Sequence, residues 1–322
     1  MTAEMVAKSI TPTWLFSIHS IALLLLLIFF VDVAFFYSAL LPYMGTDTLL
    51  LPIYVFIFEL PHIIASLLTF ADRSYVQFYK KHFLFGVPLL LLIVGILYYL
   101  NPQLTFLLYI ITTIYHMTRQ QTGIASIIAK TKGWWFNFWT ASLIIATAVV
   151  LTLVLMPFLF TTTQAWWLSL TALFFVVLSL VAATVYVCQA KNNIGRLFII
   201  ATSIVFLTSY FFILVGYIFF AFFTLRFVHD ITAFTFYVVH DHNRNMIAMK
   251  NSFYAMFRKI RLPFLVIVPL VSVVIALLIR IGVKESSIAV ATMVLLGFTH
   301  YYVEAVMWKR GSPHRQQISF SN

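Results

Sequence analysis

The sequence predicts an all-α fold, a polytopic integral membrane bundle of about ten transmembrane helices. The chain has 322 residues, of which 63% are hydrophobic and only 9% are charged, and its mean hydropathy is +1.02. A soluble domain has about 25% charged residues. We therefore expect a single integral membrane domain over residues 1–322, with no room for a separate soluble domain.

Ten apolar runs are each long enough to cross a bilayer as a helix, which takes about 20 residues. They cover residues 14–40, 49–70, 84–100, 104–128, 134–160, 165–188, 195–217, 219–243, 262–281 and 286–308. Only Gly216 and the combined length separate the seventh run from the eighth. The first run is too long for the core of a signal peptide, so we expect it to be retained as a helix.

The basic residues predict the topology. The net charge is +11, and 16 of the 20 Lys and Arg residues lie at the termini and in alternate loops. Cytoplasmic loops carry the excess of Lys and Arg, so this distribution predicts two cytoplasmic termini and the inner membrane of a bacterium. The positive charge then faces anionic lipid headgroups, and nucleic acid is excluded as a partner. The sequence does not indicate a protein partner.

Two further features bound the fold. The single cysteine, Cys188, excludes an internal disulfide and a metal site made of several cysteines. The longest cytoplasmic stretch, residues 243–261, mixes apolar and cationic residues. It is expected to be a helix lying on the membrane surface or an ordinary ordered loop.

Four histidines each lie near the middle of an apolar run. They are His62, His116, His229 and His300, in the second, fourth, eighth and tenth runs. These runs share one direction in the predicted topology, and at about 1.5 Å of rise per residue the depths of the four agree within about 6 Å. Ionisable groups at bilayer depth are costly and usually functional. A single histidine in such a position is more often an interhelical hydrogen-bonding residue than a ligand, but the four together predict a metal site.

The expected ion is Fe²⁺ or another transition metal, because neutral imidazole suits iron, copper and zinc. Three ionisable residues share a helix face with these histidines and are the candidate catalytic residues. They are Glu59, three residues before His62; Glu304, four after His300; and Arg119, three after His116. A buried carboxylate can hold a ligating imidazole by its second N–H. Alternatively, the carboxylates are ligands of a two-iron site, or they pair with Arg119 or Arg226.

Other ionisable residues lie beside His229 in the eighth run. Asp230 follows it directly and is expected to point away from the metal, because neighbouring residues of a helix do not share a face. His240 lies only about 20° off the face of His229 but about 16 Å further along the helix, so one ion cannot bind both. His240, Asp241 and His242 therefore predict a polar helix end, a second metal site or a gate.

The order of these motifs resembles that of the Brp/Blh family of integral-membrane β-carotene 15,15'-dioxygenases. The shared order is Leu60-Pro61-His62, then His116, then Phe227-Val228-His229, then His300. The resemblance implies four imidazoles that hold one non-haem iron, which activates dioxygen against a carotenoid polyene. Where the family follows Leu-Pro-His with Gly-Ala, this chain has Ile63 and Ile64.

The sequence therefore predicts a membrane-embedded oxygenase with a lipophilic substrate, namely a carotenoid, another isoprenoid or a lipid, and with dioxygen as the second substrate. Three alternatives stay open. The first is a two-iron desaturase or hydroxylase that also uses Glu59, Glu304, His240 and His242. The second is a haem-binding electron carrier, and the third is a transporter with a His/Glu relay and no enzymatic activity.

Overall fold

The computed structural model describes residues 7–46, 50–246, 248–257, 264–282 and 286–320. Within these ranges the chain is helical, and its only β-pairing consists of two isolated bridges. The α-helices are α1 Pro12–Ile18, α2 Ser20–Phe35, α3 Leu50–Tyr54, α4 Leu60–Leu68, α5 Arg73–Phe78, α6 Val87–Leu100, α7 Pro102–Ile128, α8 Trp134–Leu155, α9 Thr162–Gln189, α10 Asn193–Leu214, α11 Ile218–Asn245, α12 Ser252–Phe257, α13 Phe264–Gly282 and α14 Ser286–Met307.

All ten predicted apolar runs contain helix, and seven helical stretches of the described chain are long and apolar enough to cross a membrane. These are Pro12–Phe35, His82–Leu100, Trp134–Leu155, Thr162–Gln189, Asn193–Leu214, Ile218–Asn245 and Ile288–Met307. Val55–Ala71 and Val266–Gly282 are shorter apolar helices. The all-α, multi-pass architecture is thus supported, whereas the count of ten spans and the side of the termini stay predictions.

The weakly marked boundary between the seventh and eighth runs lies where the sequence indicated. Helix α10 ends at Leu214 and α11 begins at Ile218, and Gly216 between them has a φ of 83°. Only glycine adopts this left-handed conformation without a steric cost, so Gly216 allows the chain to turn there. Helix α9 begins with a capping box formed by Thr161 and Gln164.

A π-helical stretch, Val55–Glu59, directly precedes α4. Proline has no N–H to donate within a helix and clashes with the carbonyl four residues earlier. Pro61 lies at the start of α4, as expected for the residue that loosens this helix. Such π-bulges are frequent at functional sites. This one ends at Glu59, three residues before the candidate ligand His62.

The described residues belong to two compact units. The first comprises Met1–Thr11, Tyr54–Tyr109 and Asp230–Asn322. Its core packs α4 against α13 and α6 against α14. Buried tyrosines are prominent in this core, namely Tyr75, Tyr79, Tyr237 and Tyr254.

The second unit comprises Pro12–Ile53 and Ile110–His229. Its largest packing contact is between α8 and α9, and α10 packs on both of them. A core of aromatic residues, including Phe29, Phe212, Tyr217 and Phe220, joins α2 to the turn around Gly216.

The predicted surface segment, residues 243–261, is divided in the structure. Helix α11 continues to Asn245, and α12 spans Ser252–Phe257, with Tyr254 buried and Met256 65% exposed. Residue 247 and residues 258–261 lie outside the described residues. The position of this segment at a membrane surface stays a prediction.

Candidate metal centre

In the first unit, α4 and α14 bring His62 and His300 together. Their ring centroids are 4.5 Å apart and the ring planes are nearly perpendicular, at 87°. Both side chains are buried, with 1% and 0% exposure. The two imidazole rings are therefore in edge-to-face contact in the interior of this unit.

The Nδ1 atom of His62 is hydrogen-bonded to a backbone carbonyl and lies beside a buried carboxylate that the sequence analysis expected to point away. Asp230 Oδ1 lies 3.1 Å from His62 Nδ1, and the Glu59 backbone carbonyl is 3.2 Å from the same nitrogen. The hydroxyl of Tyr54 donates to the other oxygen of Asp230 at 2.5 Å. The expectation that Asp230 points away from the site was wrong. Asp230 does not share the helix face of His229, but its carboxylate lies beside His62 on another helix.

Ser66 holds His300 in a comparable way. Its hydroxyl donates to the carbonyl of Ile63 at 2.7 Å, and its oxygen lies 2.9 Å from His300 Nδ1. Because the serine proton is used toward Ile63, the hydroxyl oxygen accepts from a protonated Nδ1. This arrangement fixes the tautomer of His300 that presents Nε2 to a ligand, and the backbone carbonyl of Glu59 does the same for His62.

In the second unit, α7 and α11 bring His116 and His229 together. Their ring centroids are 5.0 Å apart at an interplanar angle of 83°. His229 is completely buried, and His116 is partly buried. The buried guanidinium of Arg226, three residues before His229, lies 3.6 Å from the sulfur of Met117.

The four predicted ligands form one cluster that can hold a metal ion. One ligand nitrogen of each of His62, His116, His229 and His300 lies within 4.8 Å of the corresponding nitrogen of every other. Among the described residues, this is the group of His, Cys, Asp and Glu side chains with that geometry. These are the four histidines that the sequence predicted as metal ligands, and metal binding itself stays a prediction.

The chemistry of the donor set fits a transition metal. Neutral imidazole nitrogens are ligands of iron, copper and zinc. Four neutral imidazoles leave the charge of a divalent ion uncompensated, and the buried carboxylate of Asp230 beside His62 supplies a negative charge close by.

The two predicted glutamates are both buried in the first unit. Glu59 accepts a hydrogen bond from the hydroxyl of Tyr109 at 3.0 Å, and Glu304 accepts from Tyr237 and Trp308. Neither glutamate belongs to the ligand group. Their predicted catalytic role stays a prediction.

Arg119 lies in the second unit and is exposed, with its guanidinium carbon 5.8 Å from the ring centroid of Phe136. Its predicted role at the site also stays a prediction. His240 is not part of the metal cluster, in agreement with its expected distance along α11. It forms hydrogen bonds with Tyr75 and Asp241 in the first unit, so the predicted polar end of α11 is a buried network.

Comparison of the chain with protein-family models, with curated proteins and with solved structures finds no match. The functional conclusion therefore rests on the residues and geometry of this chain: a four-histidine cluster that can hold a transition metal, within a largely apolar helical protein.

Proposed function

We propose that this protein is a membrane-embedded non-haem iron oxygenase that acts on a lipophilic substrate, with a carotenoid, another isoprenoid or a lipid as the candidates. The observation that carries the proposal is the convergence of His62, His116, His229 and His300 within 4.8 Å. The motif order shared with the Brp/Blh family supports the carotenoid among these substrates. We further propose ten spans with both termini in the cytoplasm of a bacterial inner membrane.

The donor set favours iron with open coordination positions. Histidine nitrogens bind iron, copper and zinc, but a structural zinc site is normally closed by four ligands. Iron accepts more than four ligands, so four imidazoles leave room for dioxygen and substrate. When bound, the iron would supply the one-electron chemistry that dioxygen needs.

The residues of the chain would orient the ligands and exclude water. The backbone carbonyl of Glu59 and the hydroxyl of Ser66 bond to the Nδ1 atoms of His62 and His300, so that Nε2 would be the donor toward the ion. The ligand side chains are buried or partly buried, which limits water at the ion and strengthens electrostatic interactions there. A substrate dissolved in the bilayer would reach such a site without crossing an aqueous phase.

The test is oxygen consumption by purified, iron-loaded protein in lipid nanodiscs, with and without β-carotene or a bacterial isoprenoid extract. We expect substrate-dependent uptake of ¹⁸O₂ and labelled products by mass spectrometry. The matched variants are His116→Ala at the cluster and His19→Ala at a buried histidine that bonds to Leu15 and Thr202. Uptake that persists in His116→Ala would contradict the proposal.

A further inference from the structure

A second buried group of ionisable side chains lies in the first unit. We call it the tyrosine cluster and define it as Tyr75, His240, Asp241, Tyr254 and His314. Each of the five is at most 2% exposed. Burying this many polar groups is costly unless they are bonded to one another. Their hydrogen bonds therefore indicate which chemistry the cluster supports.

The hydrogen bonds form a directed chain from a phenol to a carboxylate. Tyr75 Oη lies 2.9 Å from His240 Nε2, and His240 Nδ1 lies 2.8 Å from Asp241 Oδ1. The second oxygen of Asp241 accepts from Tyr254. Because a carboxylate only accepts, the proton of His240 is on Nδ1, and Nε2 accepts from the Tyr75 hydroxyl.

This bonding prepares Tyr75 to lose a proton at the moment it loses an electron. The guanidinium of Arg244 lies 4.6 Å from the Tyr75 ring centroid, and a cation there disfavours a positively charged oxidised ring. Burial raises the pKa of the Tyr75 hydroxyl, so it stays protonated until it is oxidised. His240 can take the proton, and Asp241 stabilises the imidazolium that forms.

A series of neighbouring aromatic rings leads from Tyr75 to Tyr237, which is bonded to Glu304 on α14, the helix that carries His300. The ring of His314 stacks on Tyr75 at 3.9 Å and on His240 at 4.7 Å. Trp308 lies 6.2 Å from His314 and 6.3 Å from Tyr237. The series continues to Glu304, which accepts from Tyr237 and lies four residues after His300.

We propose that Tyr75 is a redox-active tyrosine whose oxidation is coupled to proton transfer to His240. Tyr75 gives one electron to the oxidant, its O–H bond breaks, and an Nε2–H bond forms on His240. The products are a neutral tyrosyl radical, an imidazolium bonded to Asp241, and an oxidant reduced by one electron. Return of one electron and of the proton restores both side chains.

The oxidant belongs to the class of oxidised transition-metal complexes. In this protein the group of that class is the proposed four-histidine centre, so the physiological part of the inference rests on the proposed function. The chemistry of Tyr75 itself can be tested without a bound metal, with a ruthenium(III) tris-bipyridine complex generated by a flash of light.

The experiment uses chelator-treated, full-length protein in detergent, flash oxidation in the presence of persulfate, and electron paramagnetic resonance at successive delays. Exposed tyrosines will also be oxidised, but a radical buried beside its own proton should decay slowest. We expect a long-lived tyrosyl signal in wild type that Tyr75→Phe abolishes. Tyr217→Phe is the matched control, because it removes a buried hydroxyl that donates to a carboxylate, Asp32, outside the tyrosine cluster.

His240→Gln is the second variant, because glutamine can accept the hydrogen bond but cannot take up the proton. We expect it to shorten the lifetime of the radical severalfold, while size-exclusion profiles show that all three variants remain folded. A long-lived signal that is unchanged in Tyr75→Phe, or no long-lived signal in wild type, would overturn the proposal.

A second sample, loaded with iron and exposed to dioxygen, separates the two proposals. The same radical in that sample supports both. A radical after the flash but none after dioxygen, in protein that holds no metal, confirms the redox tyrosine and contradicts the oxygenase.

Discussion

The four-histidine centre and the tyrosine cluster are both buried and both built on imidazole rings, but they use the ring nitrogens differently. At the centre, His62 and His300 are each held through Nδ1, and one nitrogen of every ring converges within 4.8 Å of the others. The geometry therefore offers a set of donors to an ion.

In the tyrosine cluster, both nitrogens of each histidine bond to protein groups. His240 is bonded to Tyr75 and Asp241, and His314 to Tyr79 and Thr69, at 2.8–3.3 Å. A metal there would have to displace hydrogen bonds that compensate the burial of polar atoms. The direction of the ring nitrogens, and not the number of histidines, therefore distinguishes a metal site from a hydrogen-bonded network.

The largest expected effect on this comparison is the loss of a ligand. We expect His229→Ala to abolish stoichiometric metal binding, because it removes a completely buried donor from the cluster. His240→Ala is the matched change in the other cluster and should leave the metal content unchanged. Metal analysis of both purified variants checks this, and equal metal loss in the two would mean that the clusters do not differ as described.

A smaller effect is expected from the residue that orients His62. Asp230→Asn should weaken metal affinity by about 10–100-fold, as is typical when a carboxylate partner of a ligating histidine is lost. Asp32→Asn is the control, because Asp32 is also buried and accepts from a tyrosine, Tyr217, in the second unit. Titration with a competing chelator measures both affinities, and wild-type affinity in Asp230→Asn would show that this carboxylate has no orienting role.

Ser66→Ala should have a weaker effect than Asp230→Asn. A neutral hydroxyl that accepts from His300 contributes about 0.5–1.5 kcal/mol as a hydrogen bond, so we expect up to about a tenfold loss of affinity. Ser203→Ala removes a hydroxyl that bonds only to the helix carbonyl of Ile199 in the structure as described, and it serves as the control. A loss larger than that of Asp230→Asn would contradict the order of these two contacts.

The smallest expected effect is a pH dependence at the tyrosine cluster. Burial, together with the nearby cation of Arg244, lowers the pKa of His314 from 6.5 to about 2. When residues 309–320 detach from the protein, His314 binds a proton below about pH 6.5 that it does not bind in the folded state. The packing of this segment therefore weakens as the pH falls from about 6.5 and is strongest above that value.

Limited proteolysis of residues 309–320 at pH 7.5 and pH 5 measures this dependence. We expect faster cleavage at pH 5 in wild type and a weaker dependence on pH in His314→Gln. Equal cleavage at the two pH values in wild type would show that this imidazole does not control the docking of the segment.

The sequence was sufficient to predict the all-α architecture and the grouping of the four histidines. The similar depth of the four histidines in their apolar runs follows from the helix rise. Gly216 marked the turn between α10 and α11. The partner of His62 was not predictable in this way. Helical spacing gives the direction of Asp230 on its own helix, but it does not tell which helix lies opposite.

Helical spacing alone could not predict two other features, the bond from Ser66 to His300 and the exposure of Arg119. Ser66 lies four residues after His62, so it shares its helix face, but its bond to His300 depends on how α4 meets α14. Arg119 has the right spacing from His116 and is nevertheless exposed beside Phe136. A buried aspartate next to a candidate ligand, Asp230, was the signal that could have been used, because an unpaired buried charge is costly.

X-ray absorption spectroscopy of purified, metal-analysed protein can test the claim that the four histidines bind one ion. We predict one transition-metal ion per chain, with a first coordination shell that includes four imidazole nitrogens at about 2.0–2.1 Å. Protein that remains folded but holds far less than one ion, or an ion whose shell lacks imidazole scattering, would contradict the claim.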